Sequence, residues 1–298
     1  MSEFLAVLAD GLIYASWVFI VALGLTLIYG VMKILNMAHG SFYALGAYAA
    51  ASLGGYWLNH GYAPMASYGM LMIAAIAVGL IAGPLIERGL LRFMYGRDEI
   101  VLLLVTYALF LILEDVVKLI WGVNPYFIYQ PYGLLGTFDF AGLTYPNYDF
   151  LLIGVAVVSG AAVAALLQFT RKGKLLVAVI HDREVSMAMG INVSWFYLVT
   201  FTVGTVLAAI GGAITAPTVS VVPGMGVEII VLAFAVVVIG GLGSLQGAAL
   251  GSIIVGLVRS AAVHYFPQVE LFCIYSVMAL VLIFRPKGLF AGVEVRKI

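Results

Sequence analysis

An all-α polytopic membrane fold is predicted for this chain of 298 residues, and three observations predict it. Charged residues make up 9% of the chain and hydrophobic ones 64%, where a soluble domain carries about 25% charged residues. Mean hydropathy is +1.15. Apolar stretches recur at the roughly 20-residue length that takes a helix across about 30 Å of hydrocarbon, separated by short polar breaks. A β-barrel would instead alternate apolar and polar residues in segments of about ten, whereas the run "LLIGVAVVSGAAVAALL" (151–167) is apolar on nearly every side.

In chain order, apolar spans are expected near 8–31, 37–57, 66–88, 99–121, 149–169, 195–217, 228–242, 247–265 and 268–285. That is about 8–9 transmembrane helices within one transmembrane domain, residues 1–298. Broken or re-entrant segments at 37–57 or 228–247 would lower the number of crossings. The N-terminal Met1-Ser2-Glu3 lacks the basic region of a signal peptide, so the first span is expected to be retained. Formal net charge is zero and no basic block with interleaved aromatics occurs, so nothing points to nucleic acid. Cys273 sits in an apolar run and says nothing about redox compartment.

Basic residues are disfavoured in short translocated loops, so their distribution sets the orientation. Lys33 follows the first span, Arg88, Arg92 and Arg97 the third, and Arg171, Lys172, Lys174 and Arg183 the fifth. Arg285, Lys287, Arg296 and Lys297 form the tail. These are all of the 14 lysines and arginines except Lys118 and Arg259. The alternate loops, "WLNHGYAPMAS", "GVNPYFIYQPYGLLGTFDFAGLTYPNYD", "PTVSVVPGMGVE" and "HYFPQVE", contain none. Nine spans then place the N-terminus outside and the C-terminus in the cytoplasm.

Small residues let membrane helices approach closely. In "GGLGSLQGAALGSIIVG" the spacing of Gly243, Gly247 and Gly251 puts them on one helix face, with Gly241 just before. A second such run, "NMAHGSFYALGAYAAASLGG", contains Asn36, His39 and Gly40. Paired interrupted segments in two halves point to inverted-repeat transporters. These residues either pack helices or line a pathway for a small solute, and both roles are compatible. Glu114, Asp115 and Lys118 share a helix, so Glu114 and Lys118 are expected to pair near the outer end. Arg259 is expected to be structural in the same way. His39, His60, His181 and His264 are scattered without metal-ligand spacing and read as interfacial.

Catalytic motifs are missing. Gly173-Lys174 is followed by Leu175 and lacks the phosphate-cradling loop of an ATPase, "GGLGSLQG" has Gln246 where a dinucleotide site needs its third glycine, and no Gly-x-Ser-x-Gly occurs. The basic loop 171–194 carries a compact helix signal instead. Asp182 suits an N-cap, Arg183 to Met189 contains no breaker, and Gly190 suits the C-cap. Val185, Ala188 and Met189 fall on one face with Arg183 and Glu184 beside them. That stripe either folds back on its own membrane domain or docks on a partner.

The runs "LGLTLIYGVMKILNMAHGSFYALGAY", "DREVSMAMGIN", "VVVIGGLGSLQGAALGS" and "LVLIFRPKGLFAG" cover nearly the whole chain in order and resemble the permease family of branched-chain amino acid ABC importers, in its LivH-type branch. The resemblance implies an inverted-repeat importer permease in a bacterial inner membrane. It implies that Asp182, Arg183, Glu184, Val185, Ala188, Met189 and Gly190 form a coupling helix on an ATP-binding subunit. Implied partners are a second permease subunit, two ATP-binding subunits, a periplasmic substrate-binding protein and the lipid bilayer. This chain would bind no cofactor, with ATP and Mg used by its partners. The tyrosine-rich loop 122–149 would receive the binding protein or anchor at the interface. The family also resembles transporters of urea, amides and aromatic acids, so the solute stays open. Two rivals remain: a self-sufficient channel or ion-coupled carrier using the Glu114 cluster, and a membrane-embedded enzyme, which would need clustered histidines or carboxylates.

Overall fold

The computed structural model describes residues 2–140 and 142–290, without the side chains of Ser2 and Phe140. Arg296 and Lys297 of the basic tail, and the end of the motif that closes at Gly292, lie outside the described residues.

Twelve α-helices follow one another among these residues: α1 (Ser2–Met32), α2 (His39–Asn59), α3 (Ser67–Gly89), α4 (Glu99–Trp121), α5 (Gln130–Gly133), then α6 (Asn147–Phe169), α7 (Arg171–His181), α8 (Arg183–Ala188), α9 (Val193–Thr215), α10 (Met225–Gly240), α11 (Leu245–Tyr265) and α12 (Glu270–Phe284). Between α5 and α6 a hairpin pairs β1 (Thr137–Phe140) with antiparallel β2 (Leu143–Pro146), Thr137 opposite Pro146 and Phe140 opposite Leu143. Five helix starts, those of α4, α7, α8, α9 and α11, fall where a short polar side chain accepts from an orphan backbone N–H group. Asp98 accepts from Ile100 N at 2.8 Å, Asn192 from Trp195 N at 3.1 Å, and Ser244 from Gly247 N at 3.0 Å.

Each of the nine expected spans is a helix. Seven are long and apolar enough to cross a membrane: α1, α3, α4, α6, α9, α11 and α12, with short 3₁₀ turns extending α3 and α12. The other two are α2 and α10, the segments where re-entry was expected. α10 has 16 residues, about 24 Å of helix, short of about 30 Å of hydrocarbon.

Both of these helices start inside the protein. His39, at the head of α2, has Nε2 at 3.0 Å from the carbonyl of Val21, which lies about 17 Å along α1 from its end at Met32. The chain reaches that depth through non-helical residues 33–36, and Thr106 of α4 clasps this approach with bonds to Leu35 O at 3.2 Å and Met37 N at 3.3 Å. At the head of α10, Gly224 N donates to Glu114 Oε2 at 2.9 Å, about 10 Å along α4 from its end at Trp121. The two heads meet at Gly40 and Gly226, where a Cβ on Gly40 would lie 2.1 Å from the Gly226 carbonyl oxygen. From this crossing the helices run to opposite ends of the molecule. α2 reaches Trp121, whose Nε1 donates to Ser52 Oγ at 2.7 Å. α10 reaches the chain's last described residues, where Leu289 N and Phe290 N donate to Ile239 O and Gly240 O at 2.9 Å each.

The loops segregate accordingly. At one end Tyr126 and Val221 exchange backbone hydrogen bonds of 2.9 and 3.0 Å, and Tyr68 donates to Pro131 O at 2.7 Å, so loops without lysine or arginine lie together. At the other, Tyr95 packs edge-on to Tyr197 with centroids 5.0 Å apart, and the Arg183 guanidinium lies 5.7 Å from the Tyr197 ring.

Three expectations are corrected here. Gly243 does not share a helix face with Gly247 and Gly251. It lies in the α10–α11 turn at φ +82, beside Gly241 at φ +109, because Ser244 caps α11 after it. Glu114 does not pair with Lys118: it is 7% exposed and turned inward to Gly224, while Lys118 pairs with Asp115 at 3.0 Å on the surface. Replacing Glu114 with Leu, which removes a charge-assisted bond to the Gly224 N–H, is expected to destabilise the detergent-solubilised chain by about 1.5–3 kcal/mol. Lys118→Ala should cost under about 1 kcal/mol, and equal losses in thermal unfolding would contradict the inward role. Finally, His39 is fully buried rather than interfacial, whereas His60, His181 and His264 are exposed.

Candidate functional site

At the basic end, α8 stands out from the membrane domain. Asp182 caps it, accepting from Val185 N at 2.9 Å, and Met189 closes it before Gly190 at φ +80. This matches the helix read from the sequence to within a residue at its end. The preceding helix, α7, was not anticipated; Thr170 caps it through Gly173 N at 2.9 Å, and Lys172 lies 4.9 Å from the Trp195 ring. Every residue from Asp182 to Gly190 is exposed except Ser186, whose hydroxyl donates to Asp182 O at 2.7 Å. Val185 is 53% and Met189 77% exposed. The apolar stripe with Ala188 therefore does not fold back on its own membrane domain. Arg183 and Glu184 flank it, and a polar hollow of about 280 Å³ lined by Glu87, Arg88, Arg92 and Asn192 opens nearby at the same end. Beside it, Tyr95 donates to Glu87, and burial followed by that carboxylate pushes the Tyr95 hydroxyl well above its ordinary range.

Of the second group of expected residues, Asn36, His39 and Gly40 lie at the midplane junction, and Gly241, Gly243, Gly247 and Gly251 lie toward the other end of α10. Asn36 Oδ1 accepts from Ala38 N at 3.2 Å, turning the chain into α2, while its Nδ2 is buried without a partner, as is His39 Nδ1. Gly40 seats α2 on α10 at Gly226. On α11, a Cβ at Gly247 would lie 2.2 Å from Gly240 O and one at Gly251 2.4 Å from Val236 O, so α10 and α11 touch backbone to backbone. Gly241 and Gly243 make the turn between them, Gly241 against the carbonyl of Phe290 and Gly243 against Gly30. The sequence's two glycine runs thus serve packing at different places: the first seats the head of α2 on the head of α10 at Gly226, and the second packs α11 on the far end of α10 at Val236 and Gly240.

The third feature was not read from the sequence. At the end opposite α8, a cavity of about 510 Å³ opens above this junction, lined by Tyr14, Trp17, Tyr43, Met225, Glu228 and Arg259 among others. Tyr43 and Thr215 hydroxyls lie 2.6 Å apart, and Arg259 pairs with Glu270 at 2.6 Å while its guanidinium sits 4.0 Å from the Tyr14 ring. Arg259 is thus structural as expected, yet it also faces a cavity. The signal available was Glu228, a carboxylate at the entrance to the apolar run 229–239, since charge beside a span usually marks function.

The loop 122–149 is anchored on the fold at Ile128, Pro131, Tyr148 and Asp149, which are buried. Tyr148 is fully buried and donates to Ile214 O at 2.7 Å, and Tyr132 donates to Asp149 Oδ2 at 3.3 Å. Burial, then the neighbouring Asp149 carboxylate, pushes the Tyr132 hydroxyl up to about 12. Val123, Phe127, Tyr129 and Phe138 of this loop are exposed. Among the described residues, no group of three or more His, Cys, Asp or Glu could hold a metal ion.

A family profile described as branched-chain amino acid transport system / permease component matches residues 7–284. The chain is 28% identical over 99% of its length, and 98% of the relative's, to the high-affinity branched-chain amino acid transport system permease protein BraD of Pseudomonas aeruginosa. It is 24% identical, over the same shares, to the permease protein LivH of that transport system in Escherichia coli K12. To LivM, the system's other named permease protein in that strain, it is 26% identical over 91% of this chain and 67% of that one. Among solved structures, PsaBC from Streptococcus pneumoniae in complex with Fab aligns at TM-score 0.49 and 13% identity over 92% of this chain and 89% of that one, too loosely to carry an argument.

Proposed function

Because the chain belongs to the family of branched-chain amino acid transport permease components, we propose that it is one permease subunit of an ATP-driven importer for branched-chain amino acids. The observation that carries the reading is α8: a capped helix whose apolar stripe and flanking charges face outward, with Val185 53% and Met189 77% exposed. Exposed apolar stripes of this kind mark protein contacts. Asp182 to Gly190 is the segment that docks on an ATP-binding subunit.

This makes the basic end cytoplasmic, with the cavity end and the N-terminus periplasmic, in a bacterial inner membrane. The chain hydrolyses no ATP itself; ATP and Mg are used on two partner subunits. Relatedness both to LivH and to LivM of one strain supports a second permease subunit beside this one. A soluble substrate-binding protein delivers solute at the cavity end, where Phe127 and Tyr129 are exposed. The carrier alternative is weakened, since Glu114 and Lys118 do not form the pair it needs: Glu114 accepts from Gly224 N and Lys118 pairs with Asp115 on the surface.

Mechanistically, movement of α8 is passed through α7 and α9 to the midplane, where the heads of α2 and α10 meet. Because that crossing is backbone on backbone, a shift of either helix moves the other, and access alternates around it. The test is a mild-detergent pull-down of the tagged chain from its native membrane with mass spectrometry. A second multispan permease and ATPase chains bearing Gly-x-x-x-x-Gly-Lys-Ser/Thr are expected. Recovery of the chain alone, or with copies of itself, contradicts the reading.

A further inference from the structure

We infer that the 510 Å³ cavity above the α2–α10 junction is a binding site for the zwitterionic head of an α-amino acid, Glu228 taking the ammonium group and Arg259 the carboxylate. The inference rests on the importer reading and deepens it, because it places solute recognition within the permease itself.

The cavity has the size of a small-molecule pocket, which runs from about 300 to 1,000 Å³. Its charges are separated. Glu228 and Arg259 both line it without forming an ion pair with each other, and among the described residues Glu228 makes no hydrogen bond or ion pair. Arg259 is held from behind by Glu270 at 2.6 Å and by the Tyr14 ring at 4.0 Å, so its position is fixed while part of its five-donor fork is uncommitted. Four of the five hydroxyls that line it are already engaged: Tyr43 with Thr215 at 2.6 Å, Thr218 with Thr215 O at 2.8 Å, and Ser220 with Tyr129 at 3.3 Å. The charged groups left for a ligand are one carboxylate and part of one guanidinium, with the Tyr14 hydroxyl also on the lining.

That pairing selects by charge. A free carboxylic acid meets Arg259 but also the negative charges of Glu228 and Glu270; a simple amine meets Glu228 but also the positive charge of Arg259. Only a ligand with both groups satisfies both walls, and such interactions strengthen where water is partly excluded. Trp17, Met225 and Ile229 supply an apolar wall for an aliphatic side chain. The competing explanation is that Glu228, in the first turn of α10, only complements the helix dipole. That role predicts a small stability change and no effect on ligand discrimination.

The experiment uses the assembled transporter in detergent without its binding protein, and equilibrium dialysis with radiolabelled leucine. Competitors are 4-methylpentanoate, which lacks the ammonium group, and isopentylamine, which lacks the carboxylate. In the wild type each is expected to compete at least about tenfold more weakly than leucine. Glu228→Gln should collapse the advantage of leucine over 4-methylpentanoate, and Glu228→Asp should restore part of it. Assembly of each variant is checked by size-exclusion chromatography, and Glu228→Asp keeps the test open if Glu228→Gln does not assemble. Absence of saturable leucine binding up to about 10 mM, or an undiminished advantage in an assembled Glu228 variant, overturns the inference. ATP-driven leucine uptake by the same wild-type preparation, with loaded binding protein, separates the two layers. Uptake without cavity binding sinks this inference alone, whereas no uptake of any amino acid sinks the importer reading.

Discussion

Charge reversal at Glu184 combined with Ala188→Trp is expected to abolish solute-stimulated ATP hydrolysis in the reconstituted transporter while the chain still inserts and folds. Both side chains are exposed on α8 and support nothing inside the membrane domain, so their replacement leaves the packing of α9 and α4 intact. In the proposed docking they would lie beside Val185 and Met189 within the contact. Losing a central contact of that kind costs about 2 kcal/mol or more, which is about thirtyfold in affinity. Normal solute-stimulated hydrolysis in an assembled double variant would remove α8 from the coupling role. Ser186 is a poor substitute target, because it is buried and braces the turn through Asp182 O.

Gly247→Leu is expected to give the largest loss of stability. A Cβ there would lie 2.2 Å from the Gly240 carbonyl oxygen and 2.6 Å from its carbon, and both obstacles are backbone, so no side chain can swing aside. α11 must separate from α10, and the turn through Gly241 and Gly243 leaves little slack. Overpacking of a tight contact costs about 1–3 kcal/mol and more when backbone must move. A fall of about 6 °C or more in thermal unfolding in detergent follows. Gly154 on α6 is the control, since a Cβ there meets nothing within 4 Å; Gly154→Leu should shift the transition by no more than about 2 °C. Equal shifts would mean that the backbone contact is not what holds α10 to α11.

The span pattern was legible because each helix must be apolar over its own length, a local property that hydropathy reads directly. α8 was legible for a similar reason: Asp182 and Gly190 bracket seven residues with no breaker, and caps are short-range chemistry. The depth at which α2 and α10 begin was only half legible. Glycine and small residues marked both segments as unusual, but the contact of Gly40 with Gly226 joins positions far apart in the chain, and no local pattern encodes it. Spacing also misled. Gly243, Gly247 and Gly251 repeat every four residues, yet Ser244 starts the helix after the first of them. Glu114 and Lys118 have the spacing of a helical ion pair, but the Gly224 N–H at the head of α10 takes the carboxylate instead, since a hydrogen bond to a charged group is worth more than an exposed ion pair. The cavity escaped notice because its walls come from α1, α2, α10, α11 and the segment from the end of α9 to Gly224 together, and only Glu228 and Arg259 carried any sign of it.

The central claim is that this chain moves branched-chain amino acids only as part of an ATP-driven assembly. The most direct test is uptake of radiolabelled leucine and valine into proteoliposomes, comparing this chain alone with the chain joined by its permease, ATPase and binding-protein partners. Uptake is expected only from the full assembly, only with ATP, and not when α8 carries the Glu184 and Ala188 substitutions. ATP-independent uptake by the chain alone would contradict the account and return the chain to the class of self-sufficient carriers.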